Sequence, residues 1–308
     1  MTTLTDMINE VSMNLSGYTL QQDRATHITA AVAATASTIA APITLSLAST
    51  DSVGKGIVEI DEELFWVDNY DRVGNTATIA PYGRAYLGTT LAAHTAGTKV
   101  TIAPTFPRFT IKRAINDTIS AIGSSIFAAN TTTITSNSAV SAFRLPTTGT
   151  TLNIRNILAI AYQALGSSKE WIPIRSYRFD GNANSTAFTS GQTVSIYDYI
   201  PSGRSVQVVY ATDPTPFTTN AQEFATQTGL PESCKDLIIL GATYRLLSNL
   251  DPARASMVSP QADETDSKRP YGSSQSLTKQ VYALFNQRLN EEVKSQQEKY
   301  PIRVHYSL

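Results

Sequence analysis

The spacing of apolar residues changes twice in the first half of the chain. Residues 4–15 place them at the three-and-four intervals of one helix face, which predicts an amphipathic helix. Residues 42–104 instead alternate apolar and polar positions in short runs separated by glycines, a pattern typical of antiparallel strands joined by tight turns. This second stretch therefore predicts a small barrel or sandwich of about 60 residues.

The second half of the chain repeats this order at larger scale. Residues 107–129 return to helical spacing, and residues 130–216 hold five short strand candidates between glycines, which predict a β-sandwich. The stretches 232–250 and 276–299 are again helical in spacing. Residues 302–308 then alternate Ile, Val, Tyr and Leu with polar residues, as an extended strand does.

These elements predict an α+β fold in which two antiparallel β modules are inserted into a helical bundle core. One segment, residues 23–41, is ambiguous between helix and strand, because it is rich in Ala and Thr and runs into a proline. The predicted boundaries are 1–41, 105–129 and 217–301 for the helical bundle core, 42–104 for the first β module, 130–216 for the β-sandwich module and 302–308 for an extended C-terminal tail.

The composition narrows the class of protein. Charged residues make up 16% of 308 residues, against about 25% in a typical domain. Lys and Arg number 24 and Asp and Glu number 25, so the net charge is −1, without the basic excess of a dedicated nucleic-acid binder. Sparse charge and a net charge near zero predict a surface that partner proteins largely cover.

No sequence motif of an enzyme, cofactor site or metal site is present. The single cysteine, Cys234, excludes a disulfide framework within the chain and a multi-cysteine metal centre, and its apolar helical setting predicts burial. Three histidines (His27, His94 and His305) lack the spacing of metal ligands, and phosphate-binding loops are absent. We therefore expect neither catalytic activity nor a cofactor. A signal peptide and a membrane span are not expected either.

The acidic run 59–63 and His94 each have a chemical and a structural interpretation. The acidic run 59–63 could supply paired carboxylates for a glycosidase or a metal site, but an acidic strand edge or a solvated face is the favoured interpretation. His94 lies among glycines and could be catalytic. The favoured interpretation is a turn residue that closes a hairpin by hydrogen bonding to the backbone.

Aromatic and basic residues offer two further candidates. A sugar-binding face could be formed by aromatic residues of the second β region, although side chains at alternate positions more often face the core or its rim. These residues are Tyr177, Phe179, Tyr197, Tyr199 and Tyr210. Arg108, Lys112 and Arg113 open the central helix and could contact phosphate, but three cations are weak support for such a patch.

Four sequence segments resemble proteins of tailed bacteriophage particles. Residues 60–67 (IDEELFWV) and 83–100 (GRAYLGTTLAAHTAGTKV) resemble a module that recurs in virion proteins of these phages. Residues 205–217 (SVQVVYATDPTPF) and 229–247 (GLPESCKDLIILGATYRLL), followed by a long helix, resemble the head-to-tail connector, or adaptor, proteins of long-tailed phages.

The resemblance implies a non-enzymatic structural subunit. Adaptors of this kind form a homo-oligomeric ring, usually of twelve copies, beneath the portal protein, and double-stranded DNA passes through the lumen without sequence-specific binding. A downstream neck, stopper or tail protein is the further partner. The expected location is the neck of the virion, at the head–tail interface, after assembly in the host cytoplasm.

The C-terminal tail is the segment expected to dock on the portal or on a neighbouring subunit. Its docking residues are Ile302, Arg303, Val304, His305, Tyr306, Ser307 and Leu308. Two alternatives stay open from the sequence: another neck or tail structural protein, and a carbohydrate-binding virion protein.

Overall fold

The computed structural model describes residues 2–19, 23–137, 140–145, 154–165, 170–248 and 273–301. Within these residues the chain is α+β, as predicted, with five helices and antiparallel sheets. The helices are α1 (Leu4–Thr19), α2 (Arg108–Ile122), α3 (Phe224–Thr228), α4 (Lys235–Ser248) and α5 (Ser273–Lys299). The predicted tail, 302–308, lies outside the described residues, so its docking role stays a prediction.

The first β module is a six-stranded antiparallel sheet with the order β1-β6-β3-β4-β5-β2. Its strands are β1 (Arg24–His27), β2 (Thr44–Ser46), β3 (Gly56–Ile60), β4 (Glu63–Asp71), β5 (Thr76–Ile79) and β6 (Lys99–Ile102). Alternation along β4 buries Phe65 and exposes Trp66, because successive side chains of a strand point to opposite faces. Thirteen buried apolar residues, drawn from the strands and their connections, form one core inside this sheet.

The two edge strands of this sheet meet, so it is a partly closed barrel. An isolated bridge joins Ile28, just after β1, to Leu47, just after β2. The Thr29 amide donates to the Ser46 carbonyl at 2.8 Å, and the Ala48 amide donates to the His27 carbonyl at 3.0 Å. This joint removes part of the unpaired backbone that edge strands otherwise expose.

The structure corrects the predicted start of the first β module. Residues 24–27 were assigned to the helical core with an ambiguous conformation, but they form β1 and pair with β6 in register Arg24↔Ile102. The physical reason is that β-branched and small residues in this stretch gain backbone partners on β6. The first β module therefore begins near residue 24 rather than at residue 42.

The second β region contains two antiparallel sheets that share one hydrophobic core. A four-stranded sheet has the order β10-β9-β13-β7, and a three-stranded sheet has the order β11-β12-β8. The strands are β7 (Ala128–Thr135), β8 (Ala142–Arg144), β9 (Ile154–Gln163), β10 (Trp171–Pro173), β11 (Tyr177–Asp180), β12 (Thr193–Ile196) and β13 (Ser205–Thr212). Buried residues from both sheets, such as Ile160 and Val194, belong to one cluster.

Helix α2 ends earlier than its apolar spacing predicts. The helix was expected to continue to residue 129, but it stops at Ile122, and residues 128–135 form β7. Gly123 follows the last helical residue, and a methyl group there would lie 3.2 Å from the Ser120 carbonyl. Glycine lowers helix propensity at this point, and pairing with β13 satisfies the backbone of β7.

The described chain divides into two compact units, one built mainly on residues 5–115 and the other mainly on residues 116–238. The six-stranded sheet belongs to the first unit, and the two sheets of the second β region belong to the second. The sequence-based boundaries separate helices from β modules, which is a different division of the chain. The predicted helical bundle core and β-sandwich stay predictions.

Candidate functional site: a fixed apolar loop on the six-stranded sheet

A buried ion pair holds the loop between β5 and β6, residues 80–98, in place. Nε and Nη2 of Arg84 donate to the two carboxylate oxygens of Glu63, at 2.9 and 2.7 Å. The side chains are 1% and 0% exposed, so this bidentate pair is removed from solvent. Arg84 also lies over the Phe65 ring, with its Cζ 4.9 Å from the ring centroid. A planar guanidinium suits this combined pairing and stacking geometry.

The rest of the Arg84 guanidinium holds backbone carbonyls of neighbouring segments. Nη1 donates to the carbonyl oxygens of Ala33 and Thr35, and Nη2 donates to the carbonyl oxygen of Ala92 at 2.6 Å. Arg84 therefore joins three separate segments: the stretch after β1, strand β4 and the end of its own loop. A single buried side chain thus determines the path of the loop.

Glu63 accepts hydrogen bonds on both of its oxygens from five donors. Besides the two from Arg84, its carboxylate accepts from the amides of Ala85 at 3.1 Å and Ala92 at 2.9 Å, and from the His94 ring at 3.0 Å. Burial alone would raise the pKa of Glu63, but the hydrogen bonds from His94, Arg84 and the two amides lower it to about 2. A carboxylate so occupied has no lone pair left for proton transfer or for a metal.

His94 bridges two carboxylates. Its Nε2 faces Oε2 of Glu63 at 3.0 Å and its Nδ1 faces Oδ2 of Asp61 at 2.8 Å. Only the imidazolium donates from both nitrogens. Burial lowers the pKa of His94, but the hydrogen bonds to Glu63 and Asp61 outweigh it and raise the pKa above its usual value of 6.5.

The interpretation of His94 from sequence is therefore corrected. Its ring was expected to hydrogen-bond backbone and instead contacts carboxylates. Its backbone does form the expected kind of contact: the Val32 amide donates to the His94 carbonyl at 2.8 Å, and the His94 amide donates back at 2.9 Å. His94 thus joins the end of the loop to the stretch that follows β1.

The backbone of the loop has three residues other than glycine in the left-handed region. These are Tyr82 (φ 59°), Ala85 (φ 50°) and Leu87 (φ 56°), a conformation that L residues with side chains rarely adopt. Gly83 lies between them in a crowded place, because a Cβ there would approach the carbonyl oxygens of Ala80 and Trp66 to 2.9 Å each. Such backbone geometry persists only where surrounding contacts enforce it.

The outer side of this loop presents large apolar side chains. We call the following set the apolar patch: Ile39, Trp66, Tyr82, Leu87 and Leu91, all of them exposed. Backbone hydrogen bonds join the segments that carry Ile39, Trp66 and Tyr82: the Tyr82 amide donates to the Ser37 carbonyl and the Trp66 amide donates to the Gly83 carbonyl, both at 2.7 Å. The Trp66 ring also packs on Tyr86, with ring centroids 5.2 Å apart. The arrangement can bind an apolar surface.

The acidic run 59–63 is not one solvated face, as its favoured interpretation had it. Glu59 and Glu63 are buried, and Asp61 lies in the left-handed region between β3 and β4. Glu59 accepts a hydrogen bond from the Arg108 amide at 2.5 Å, at the start of α2. Burial raises the pKa of Glu59 to about 7, although this bond and the Arg108 charge lower it.

Two of the three basic residues that open α2 are occupied by partners within their own unit. Arg108 donates to the Asn9 side-chain oxygen at 2.8 Å, and Lys112 pairs with Glu62 at 3.0 Å. These contacts disfavour the alternative of a phosphate-binding patch, which requires free cations.

The tyrosines of the second β region do not share one face. Tyr177 and Tyr210 are buried in the shared core, whereas Tyr197 and Tyr199 are exposed. The interpretation of core packing is therefore confirmed for the first two. The set of five cannot act together as a sugar-binding face.

Cys234 is buried, as predicted. It lies beside Oε2 of Glu292 on α5, with the Sγ 3.5 Å away, and Oγ of Ser233 donates to the same oxygen at 3.2 Å. Burial and the Glu292 charge raise the pKa of the Cys234 thiol to about 12, so the thiolate nucleophile is disfavoured.

Sequence reasoning missed the group formed by Glu63, Arg84 and His94. One sequence feature does point to it: in residues 73–98, Arg84 and His94 are the only Arg, Lys, His, Asp or Glu side chains. Isolated charges within an apolar and small-residue stretch often indicate buried pairing.

Comparisons with known proteins identify no relative: no protein-family model matches the chain, and no curated protein sequence matches it significantly. Among the described residues, none of the helices is both long enough and apolar enough to span a bilayer. The same residues contain no cluster of three or more His, Cys, Asp or Glu side chains arranged to hold a metal ion.

Proposed function

We propose that the chain is a structural virion protein of a tailed bacteriophage. It acts as a head-to-tail adaptor that forms a ring beneath the portal, joins the DNA-filled capsid to the tail and lets DNA pass. The first support is the sequence resemblance of residues 60–67, 83–100 and 205–247. The order of elements is a second support: helix, β module, helix, β module, then helices.

The observation that carries the proposal is the fixed apolar loop. Arg84 and His94 of the 83–100 motif are buried against Glu63 and hold the loop in place. The same loop exposes Tyr82 and Leu87 on its outer side. Rigid exposed apolar surface is typical of protein–protein contact, which favours an assembly subunit over a catalyst.

The proposal includes the finer architecture of a helical bundle core and a β-sandwich. Support for the bundle comes from α1, whose apolar stripe of Leu4, Met7, Ile8, Val11 and Leu15 is buried. Support for the sandwich comes from the single core that the four-stranded and three-stranded sheets share.

The proposed partners are further copies of the chain, the portal protein and a downstream neck, stopper or tail protein. Double-stranded DNA passes through the ring without sequence-specific binding. A net charge of −1 supports this part of the proposal, because a lumen through which DNA slides must avoid strong phosphate binding.

Mass photometry of the purified chain, alone and mixed with the portal protein of the same phage, tests the proposal. We expect a monomer alone and a ring of about twelve copies on the portal. A chain that ignores the portal but binds a tail component would favour the alternative of another neck or tail structural protein. A chain that binds neither would overturn both.

A further inference from the structure

The apolar patch exposes five large apolar side chains on one unit of the chain. Ile39, Tyr82 and Leu87 are 78%, 73% and 66% exposed, and Trp66 and Leu91 add to them. Two aromatic and three aliphatic side chains exposed to this extent amount to about 500 Å², the size of the largest apolar patch on a typical monomeric protein. A patch of this size is often a functional surface.

The backbone conformation of the patch is already set in the free chain. Tyr82 and Leu87 are exposed and have left-handed backbone, and Arg84, which lies between them in sequence, is held by its buried pair with Glu63. Because the conformation is already fixed, binding needs to order little of the loop. A site that is rigid in the free protein therefore loses less entropy on association.

The charge of the patch decides which kind of partner fits it. Arg84 and His94, the only Arg, Lys, His, Asp or Glu side chains of residues 73–98, are both buried, so the loop shows no ionised group to a partner. A nucleic acid or a strongly charged protein would find no complementary charge there. Two copies of a chain with a net charge of −1 approach each other with little repulsion.

We propose that the apolar patch is a subunit–subunit contact that binds a second copy of this chain. The inference rests on the proposed function, since a ring requires each subunit to bind its neighbour. A stable interface covers about 800 Å² on each partner, so the patch forms its apolar centre and polar surroundings supply the remainder.

Photo-crosslinking from the patch tests this contact. In Tyr82→Cys, a benzophenone maleimide attaches at position 82, because the native Cys234 is buried. The matched control is Val73→Cys, which places the label on an exposed residue in the turn after β4, outside the patch. The labelled full-length chain is irradiated with and without the portal protein. Denaturing gel electrophoresis then detects covalent products, and mass photometry of the native samples reports ring formation.

We expect Tyr82→Cys to give covalent multiples of the 33.3 kDa chain, and Val73→Cys to give none. If a ring forms but the label at position 82 crosslinks only to the portal, or to nothing, the inference is overturned and the proposed function stands. If no ring forms, the proposed function fails. In that case, crosslinks between chains would still support the subunit–subunit contact, and the absence of such crosslinks would overturn the contact together with the proposed function.

A second variant does not depend on the label. Leu87→Asp places an uncompensated charge in the contact and is expected to raise the chain concentration needed for assembly about tenfold or more. Val73→Asp is the control and should leave assembly unchanged. Equal assembly of both variants would contradict the proposed contact.

Discussion

Arg84 and His94 contact the same atom. Nη2 of Arg84 and Nε2 of His94 lie 2.7 and 3.0 Å from Oε2 of Glu63. One carboxylate oxygen thus joins the beginning of the loop to its end, ten residues apart in sequence. The three side chains form one unit, and the loss of one member leaves the others without partners in a buried place.

Removing the carboxylate is the most direct test of this unit. Glu63→Ala leaves Arg84 buried and unpaired, so we expect the free energy of unfolding to fall by about 3–5 kcal/mol. Chemical denaturation followed by circular dichroism measures it. The control is Glu62→Ala, which removes a partly exposed partner of Lys112 and should cost less than about 1 kcal/mol. Equal losses would show that the buried pair contributes nothing special.

The pH dependence of stability should report His94 and Glu63 separately. The pKa of His94 is raised in the folded state. Its contribution to the free energy of unfolding is therefore complete below pH 6.5 and is lost as pH rises through the folded pKa. The pKa of Glu63 is lowered to about 2, so its contribution is present above pH 4.5 and is lost as pH falls toward 2.

His94→Gln tests the alkaline side of this dependence. The difference in Tm between the native chain and this variant should shrink as pH rises above 6.5, because the native chain then loses the imidazolium contacts. His27→Gln, at an exposed position on β1, is the control and should follow the native chain at each pH. A difference that does not change with pH would contradict a charged His94.

Glu59 should affect stability in the opposite direction from Glu63 as pH changes. Burial raises its pKa to about 7, so its contribution is complete below pH 4.5 and is lost as pH rises through 7. Glu59→Gln keeps an oxygen that accepts from the Arg108 amide but cannot ionise. We expect the Tm of this variant to vary less between pH 4.5 and 7 than that of the native chain, as differential scanning calorimetry would measure. An unchanged slope would refute the prediction.

Gly83 should resist substitution more than Gly54 of the same module. Gly83→Ala brings a methyl group to 2.9 Å from two carbonyl oxygens, and overpacking of this kind costs about 1–3 kcal/mol. Gly54→Ala is the matched control, since its added Cβ meets no atom within 4 Å. Thermal unfolding of both variants decides the matter, and equal Tm values would mean that the loop can shift to relieve the contact.

The Cys234 thiol should be inert in the folded chain. Its pKa of about 12 and its burial predict no reaction with Ellman's reagent at pH 8, and full reaction after denaturation in guanidinium chloride. Tyr82→Cys provides the positive control, because its thiol is exposed and should be titrated at once. Rapid labelling of the native chain would show that the contact between Cys234 and Glu292 opens readily.

Helices and strands with regular spacing could be predicted from the sequence, and short or context-dependent elements could not. The buried positions 4, 7, 8, 11 and 15 coincide with the helical spacing of α1. Strand β1 was missed because four residues, RATH, show no apolar alternation and gain their conformation from β6. The end of α2 was misplaced because Ile126 continues the apolar spacing although the helix has already stopped.

Local sequence patterns could not predict the candidate site, for a different reason. Glu63, Arg84 and His94 lie 10–31 residues apart, and backbone hydrogen bonds of the loop to Trp66 and to Val32 bring them together. Glu59 and Glu63 look equivalent in the sequence, yet the turn at Asp61 separates them into different surroundings. Sequence spacing indicates which residues share a strand face, but not which distant segment covers that face.

The pairing of β1 with β6 places the two ends of the barrel module side by side. Arg24 lies opposite Ile102, and the Thr105 amide donates to the Asp23 side chain at 3.3 Å. Paired residues of antiparallel strands are about 5 Å apart, so a host chain can accept or lose this module with almost no change in its own path. Adjacent entry and exit points are the geometry that insertion of a module into a longer chain requires.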